Sequence, residues 1–263
     1  METLFTVVIP NYNREKMIGK AIQSVRKQSY RNWKLLIIDD ASNDRSLDVI
    51  TPHLKDRRIE LIQLPNNLGI SHVMNRALKE ITTPYFIQLD SDDWLAPHAL
   101  KEFAKAIRKT DQRTALFYGN IKKVRKIKGQ WKVFAYTKHR PFENKYDFLV
   151  YLTEMLHPRC YRTEAVQDVG GWDTSDPYQG RIMEDRRMCL KLIEKYPIHW
   201  INKYLYFRRK HQNQLTKRDS IKKRNFLRKM VIQHYLWKWG NVYKPIFSYN
   251  KAGFLIIKEL KRI

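Results

Sequence analysis

Along the first half of the chain, short unbroken apolar runs alternate with stretches where apolar residues recur every three or four positions. The runs FTVVI (5–9), 34–38, RIELIQL (58–64) and PYFIQL (84–89) read as buried strands. Helical stripes fall between and after them. Asn13 is placed to cap a helix carrying Met17, Ile18, Ala21, Ile22 and Val25 on one face, and residues 43–54 align Leu47, Ile50 and Leu54. Ser71 opens a stripe of Val73, Ala77 and Ile81, and Pro97 suits the first turn of a helix carrying Leu100, Phe103, Ala104 and Ile107.

Strict alternation of strand and helix predicts an α/β fold with a mostly parallel central sheet and helices on both faces. Such sheets bind ligands beyond the carboxyl ends of their strands. Four polar segments are predicted to meet there: Pro10 to Asn13, Asp39 with Asp40, Pro65 to Gly69, and Asp90 to Asp93.

The second half is less regular. Residues 120–136 read as a basic hairpin around Gly129, 144–156 as a short helix, 182–195 as a helix and 198–207 as a final strand. From 217 to 263 the composition shifts to thirteen Lys or Arg against two acids. There Lys222, Lys223, Arg224, Arg228 and Lys229 interleave with Phe226, Leu227, Met230 and Val231. This basic amphipathic pattern fits a C-terminal helical extension lying on anionic lipid or an acidic glycopolymer, and equally a helix packed on the protein body.

A chain of 263 residues, 43% hydrophobic and 29% charged, has the composition of a folded soluble protein large enough for one domain with an appendage. The opening METLFTVVIPNYNRE carries an acid at position 2 and an apolar run too short for a signal peptide or membrane span, so a cytoplasmic location is expected. Cys160 and Cys189 form no metal or disulfide pattern. With 51 basic and 26 acidic residues the net charge is +25, which favours polyanionic partners without choosing among them.

Against that background LDSDDWLAP concentrates Asp90, Asp92 and Asp93 at one strand end. Crowded carboxylates repel unless a cation, a shared proton or solvent relieves them. The segment lacks the glycine and glutamate of a calcium loop, having Leu95 and Lys101 at those positions, and no glycine-rich phosphate loop follows the first strand. A hard divalent cation, Mn2+ or Mg2+, shared with a diphosphate is the remaining chemistry.

In this order and spacing, VVIPNYNRE, LLIIDDASND, NNLGISHVMNRAL, YFIQLDSDDWLAP and GGWDTSDPYQGRIMEDRRMCLKL resemble family 2 glycosyltransferases of the GT-A fold. The likeness extends to the domains of bacterial chondroitin-type polymerases and the spore-coat enzyme SpsA, and covers roughly residues 4–216. It implies an inverting, metal-dependent transfer of a sugar from a nucleotide diphosphate, usually UDP, to a glycan or glycopolymer. It also implies a glycosyltransferase domain over 1–216, with a nucleotide-sugar half (1–118) and an acceptor half (119–216), followed by the extension 217–263.

Carried over by position, the resemblance places Pro10, Tyr12 and Asn13 at the nucleoside and Asp40 at the base, with Asn67 and Gly69 in the same nucleotide site. Asp90 falls near the ribose and the ion, and Asp92 and His211 become metal ligands, with Arg209 and Lys210 beside the phosphates. His157 matches a histidine near the metal in the chondroitin-type members and, with Glu184, is expected on the acceptor side. Many members carry Arg before the asparagine matching Asn75, where this chain has Met74.

In MEDRRMCLKLIEKY, Asp185 shares the apolar stripe of Met188, Cys189 and Leu192 and therefore points inward, whereas Glu184 lies off it. Asp185 is the expected general base, as the family's ED motif also implies. Sugar faces pack on aromatic rings, which makes Trp172 a candidate acceptor platform and Tyr178 a lesser one. A nucleotidylyltransferase would share the acidic ligands without accounting for the ED helix or His211. A nucleic-acid-binding module would use the charge but lacks any such motif, so no nucleic acid partner is expected.

Overall fold

The computed structural model describes residues 3–211 and 221–263. In chain order the first half runs β1 (Phe5–Asn11), α1 (Ile18–Arg26), β2 (Trp33–Asp39), α2 (Ser46–Ile50), β3 (Ile59–Gln63), α3 (Ile70–Glu80), β4 (Tyr85–Gln88), β5 (Trp94–Leu95) and α4 (Ala99–Ile107). It continues with β6 (Leu116–Ile127), β7 (Gln130–Thr137), α5 (Lys145–Val150), β8 (Arg159–Arg162), α6 (Thr163–Asp168), α7 (Glu184–Lys195), β9 (Ile198–Arg209) and α8 (Ile221–Lys238). The hairpin β10 (Tyr243–Tyr249) and β11 (Leu255–Arg262) ends it.

The main sheet has the order β3-β2-β1-β4-β8-β6-β9-β5, with β7 paired to β6. Strands β1 to β4 pair in parallel, as does β6 with β9. Strand β8 enters antiparallel to both β4 and β6. The fold class is thus the expected α/β one, with a curled, mostly parallel central sheet.

Period-two alternation explains how one sheet serves two cores. Phe5, Val7 and Ile9 of β1 pack with α1 and α4, while Val8 faces the opposite cluster with α3 and α7. Both faces are apolar because helices cover both.

Several local expectations change. Asn13 caps no helix: it sits at φ 52°, its Oδ1 accepts from the Asn43 backbone N–H, and α1 starts after Met17. The 43–54 segment divides into α2 and a 3-10 turn over Thr51–Lys55, because Pro52 cannot donate the hydrogen bond that would continue the helix. Pro97 precedes the helix rather than joining it, and α3 starts one residue before Ser71. Only 145–150 of the 144–156 segment is helical; Asn144 caps it, accepting from the Tyr146 and Asp147 backbone N–H groups.

Residues 221–263 form a helix followed by a hairpin; the amphipathic pattern predicts the helix and not the hairpin. Leu227, Val231, Ile232, Tyr235 and Leu236 of α8 join the same core cluster as α3 and α7, together with Ile257 of β11. No helix among the described residues is long and apolar enough to cross a membrane.

Candidate active site

The four polar strand ends do converge. Parallel register sets Asn11 beside Asp39, and the Asn11 Nδ2 donates to Asp39 Oδ1 at 2.7 Å. Asp39 also accepts from the Ser42 hydroxyl and backbone N–H, closing the loop after β2. Asp40 is buried and accepts from the backbone N–H groups of Leu68 and Gly69 at 2.8 and 2.9 Å. It therefore shapes the loop on which Asn67 sits. Gly69, at φ 90°, has no room for a side chain: a Cβ there would meet Arg181 Cγ at 2.8 Å. Arg181 in turn donates to Asn67 Oδ1 and to its backbone oxygen at 2.7 and 2.9 Å. Pro10 is the last residue but one of β1, and Tyr12 stands exposed at the rim, available to a planar ligand.

Beyond β4, Asp90, Asp92 and Asp93 each bring one oxygen within 4.8 Å of the others. Their partners differ. Asp93 is buried, and its Oδ1 accepts from the Arg209 backbone N–H at 2.7 Å. Burial and the neighbouring Asp92 and Asp90 charges push its carboxyl well above the usual range. Asp92 Oδ2 lies 3.1 Å from His211 Nε2 and 3.5 Å from Arg14 Nε. Hard carboxylate oxygens with one imidazole suit Mg2+ or Mn2+, and a cation would offset the repulsion felt at Asp93. The residues fit such an ion.

Asp90 begins a second chain of contacts. Its Oδ2 lies 3.3 Å from His157 Nε2, and its Oδ1 accepts from Arg159 Nη2 at 3.4 Å. Arg159 then donates through Nη1 to Asp185 Oδ2 at 3.0 Å. This guanidinium joins a carboxylate at the end of β4 to one opening α7, 69 and 26 residues from it in sequence. Burial raises Asp90's carboxyl, but the His157 hydrogen bond and the Arg159 charge outweigh that and hold it below the usual range. Burial, followed by the Arg159 charge, lowers His157, so the imidazole is neutral. Its ring packs on Tyr206, with centroids 4.7 Å apart.

The ED pair is split by its surroundings. Asp185 is buried, and burial would raise it; the Arg186 and Arg159 charges prevail and keep it ionised. Glu184, partly exposed, is pushed by burial and by the Asp185 charge up to about 8.

Arg159 was missed by sequence reasoning: it opens β8, paired with Gln88, and its place between the two carboxylates depends on where that short strand inserts. Removing it strands two carboxylates. Arg159→Leu is expected to lose about 3–5 kcal/mol of stability in urea denaturation, with Arg159→Lys recovering part. A loss below about 1 kcal/mol would mean the bridge is not what holds the site together.

The acceptor-platform expectation is corrected. Trp172 is a core residue, 3% exposed and packed against Phe86 and Tyr161, so its ring faces meet protein rather than a sugar. Tyr178 is likewise packed on the core. The Arg209 guanidinium lies 4.8 Å from the Trp131 ring and 5.5 Å from that of Trp94, within reach of the Asp93 and Asp92 charges, and Lys210 is exposed. Met74, where many relatives have Arg, is buried, and Asn75 exchanges hydrogen bonds with the backbone of Trp172.

The sequence model of Glycosyl transferase family 2 matches residues 6–170. The chain belongs to this family. Among family relatives, the chondroitin synthase of Escherichia coli is 28% identical over 263 residues, covering 95% of this chain and 35% of the relative. The match spans less than half the length of each of the first three curated relatives. In fold, the chain resembles S. aureus TarS 1-349 in complex with UDP-GlcNAc, with a TM-score of 0.65 and 22% identity over 80% of this chain and 60% of that one. It also resembles the mannosyltransferase PcManGT from Pyrobaculum calidifontis in complex with GDP-Man and Mn2+, with a TM-score of 0.62 and 16% identity over 91% and 65% of the two chains. A family 2 glycosyltransferase of GT-A type accounts for a loop site at the carboxyl ends of β1, β2 and β4 with an acidic cluster beside it.

Proposed function

We propose that this chain is an inverting, metal-dependent glycosyltransferase that moves a sugar from a UDP-sugar to a hydroxyl of a glycan or glycopolymer in cell-envelope synthesis. The observation that carries the reading is the unbroken run of contacts from Asp90 through Arg159 to Asp185, adjoining Asp92. It sets a donor-side acidic cluster and an inward carboxylate in one site. Solved fold neighbours described as complexes with UDP-GlcNAc, or with GDP-Man and Mn2+, support the donor class.

In this reading residues 1–118 hold the donor and 119–216 the acceptor. Pro10, Tyr12, Asn13, Asp40, Asn67 and Gly69 surround the nucleoside, with Asp90 toward the ribose. Asp92 and His211 hold Mn2+ or Mg2+, which when bound offsets the charge that develops on the departing diphosphate. Asp185 takes the acceptor hydroxyl's proton as the oxygen attacks the anomeric carbon opposite the leaving group, which inverts that centre. Glu184, protonated at neutral pH, donates to the acceptor, and His157 steadies Asp90 from the acceptor side.

A thermal-shift panel of UDP, GDP, CMP and dTDP with and without Mn2+ tests this. UDP with Mn2+ is expected to give the largest stabilisation, more than either alone. A flat panel beside a large response to DNA would favour a polyanion-binding protein instead.

The helix α8 supports peripheral membrane association on the cytoplasmic side. Phe226, Met230 and Trp237 are exposed and fall on one outer stripe at helical spacing, flanked by exposed Lys222, Lys223 and Lys229. Trp237→Ala is expected to lower binding to anionic vesicles about tenfold in co-sedimentation, with little binding to neutral vesicles in either form. Equal binding by variant and parent would remove α8 from the contact.

A further inference from the structure

We infer that the face of β6 and β9 leading outward from Tyr206, with Phe134 of β7 at its far end, is a binding lane for an acidic polysaccharide acceptor, a chain of sugar rings bearing carboxylates. The inference rests on the glycosyltransferase reading for the ligand's chemistry and narrows its acceptor class. The inner end touches the candidate catalytic residues: the Tyr206 hydroxyl accepts from the Asp90 backbone N–H at 3.3 Å, and its ring packs on His157. Alternation along β9 carries Arg208 to the face of Tyr206, where it pairs with Lys123 of β6. Two residues further along β6, Arg125 shares the face of Lys123.

A bulge fixes the outer end. The pairing of β6 with β7 steps from Lys123 with Ala135 to Val124 with Val133, which leaves Phe134 as the extra residue. Phe134 is 41% exposed, and two cations reach its ring from different strands: Arg125 Cζ lies 5.6 Å and Lys210 Nζ 5.7 Å from the centroid. Lys210 directly follows β9, and its backbone N–H donates to the Val124 oxygen at 2.8 Å, which holds it beside β6. An exposed ring between two cations suits a sugar that offers an apolar face to the ring and a carboxylate to the cations.

The protein does not neutralise this face itself. Residues 116–138 hold seven Lys or Arg and no Asp or Glu. Among the described residues, no carboxylate lies within ion-pair distance of Lys123, Arg125, Arg208 or Lys210. From Tyr206 to Lys210 the strand advances about 13 Å, at ~3.3 Å per residue, so a single sugar cannot meet both ends and an oligosaccharide can. A nucleic acid offers similar charge, but it carries a phosphate on every unit and would bring negative charge into the acidic cluster. A polysaccharide can set an uncharged terminal sugar there and keep its carboxylates on the lane.

The test is calorimetry on the full chain, with and without UDP and Mn2+. The titrants are a uronic-acid disaccharide and hexasaccharide, a neutral hexasaccharide, a glycerol-phosphate oligomer and single-stranded DNA. The acidic hexasaccharide is expected to bind at least about fivefold tighter than the acidic disaccharide or the neutral chain, the upper contribution of one exposed ion pair, and to weaken as salt rises. Arg125→Gln and Phe134→Ala, both on exposed side chains, are each expected to weaken it about fivefold and to leave the UDP response unchanged. Arg125→Lys should keep most of the affinity, and Lys109→Gln, an exposed control for general charge, should change nothing. Equal binding of acidic and neutral chains, parental affinity in either variant, an equal loss in Lys109→Gln, or tighter binding of the glycerol-phosphate oligomer or DNA would each overturn the inference. Binding of the acidic chain without any response to UDP and Mn2+ would sink the donor reading and keep the lane as a polysaccharide-binding site.

Discussion

Asp92→Ala is expected to erase the Mn2+-dependent part of UDP stabilisation and to cut turnover at least about 100-fold, the upper range of what disturbing even an outer partner of a metal ligand costs. The three carboxylates are not equivalent, which is why the effect should concentrate there. Asp93 is buried and committed to the Arg209 backbone N–H, and Asp90 is shared between His157 and Arg159. Asp92, partly exposed as Asp90 is, meets no other side chain than His211 and Arg14 in a hydrogen bond or ion pair among the described residues. The variant should still fold, because its side chain supports no core residue, and UDP added without metal should shift the melting temperature as it does in the parent. Titrating Mn2+ at fixed UDP reads the difference. A variant that keeps the full Mn2+ response would move the ion away from this rim.

The second large effect is expected at Asp185. Asp185→Asn should keep the UDP and Mn2+ response and lose about 10²–10⁴-fold in single-turnover rate, the usual worth of a general base. Two adjacent acids compete for the role, and pH separates them. Asp185 is held below the ordinary carboxylate range, so it is already ionised across neutral pH and its proton uptake limits no change there. Glu184 ionises only near 8, so a rate depending on Glu184 as base would climb as pH rises through that value. A profile that does not climb through about 8 but falls there as Glu184 loses its donor proton, abolished in Asp185→Asn and flat through about 8 in Glu184→Gln, which keeps a donor, is the expected outcome. The Asn variant also removes the charge that holds Glu184 up, so Glu184 should ionise at lower pH in that background and supply a residual rate. Near-normal transfer in Asp185→Asn would end the assignment.

Legibility differed between the two halves of the chain for a physical reason. Residues 5–107 carry their structure locally: each strand and helix announces itself by period, and parallel pairing of consecutive βα units brings their polar ends to one edge. The grouping of Asn11, Asp39, Asp40, Asn67 and Asp90 to Asp93 could therefore be read before any coordinates. Residues after 115 are organised by contacts distant in sequence. Strand β8 is four residues long and makes sense only as an insert between β4 and β6. Its place puts Arg159 between two carboxylates, and no local pattern encodes that.

Trp172 shows the same limit from the other side. An aromatic ring suited to a sugar face was expected there, yet Asn75 of α3 clasps the turn by two hydrogen bonds and the ring enters the core beside Phe86. In α8, a helix apolar on both sides hid which side was inward until the sheet and α7 supplied something to pack against.

The amino-acid order alone determined the α/β class, the family, the acidic cluster and the inward acid of the ED pair, because periodicity and strand-end position are local properties of a chain. Only the folded molecule decided that Arg159 bridges Asp90 to Asp185 and that Trp172 is core. Those facts depend on which distant segments pair, and pairing is settled by the burial of whole faces rather than by any short stretch of residues.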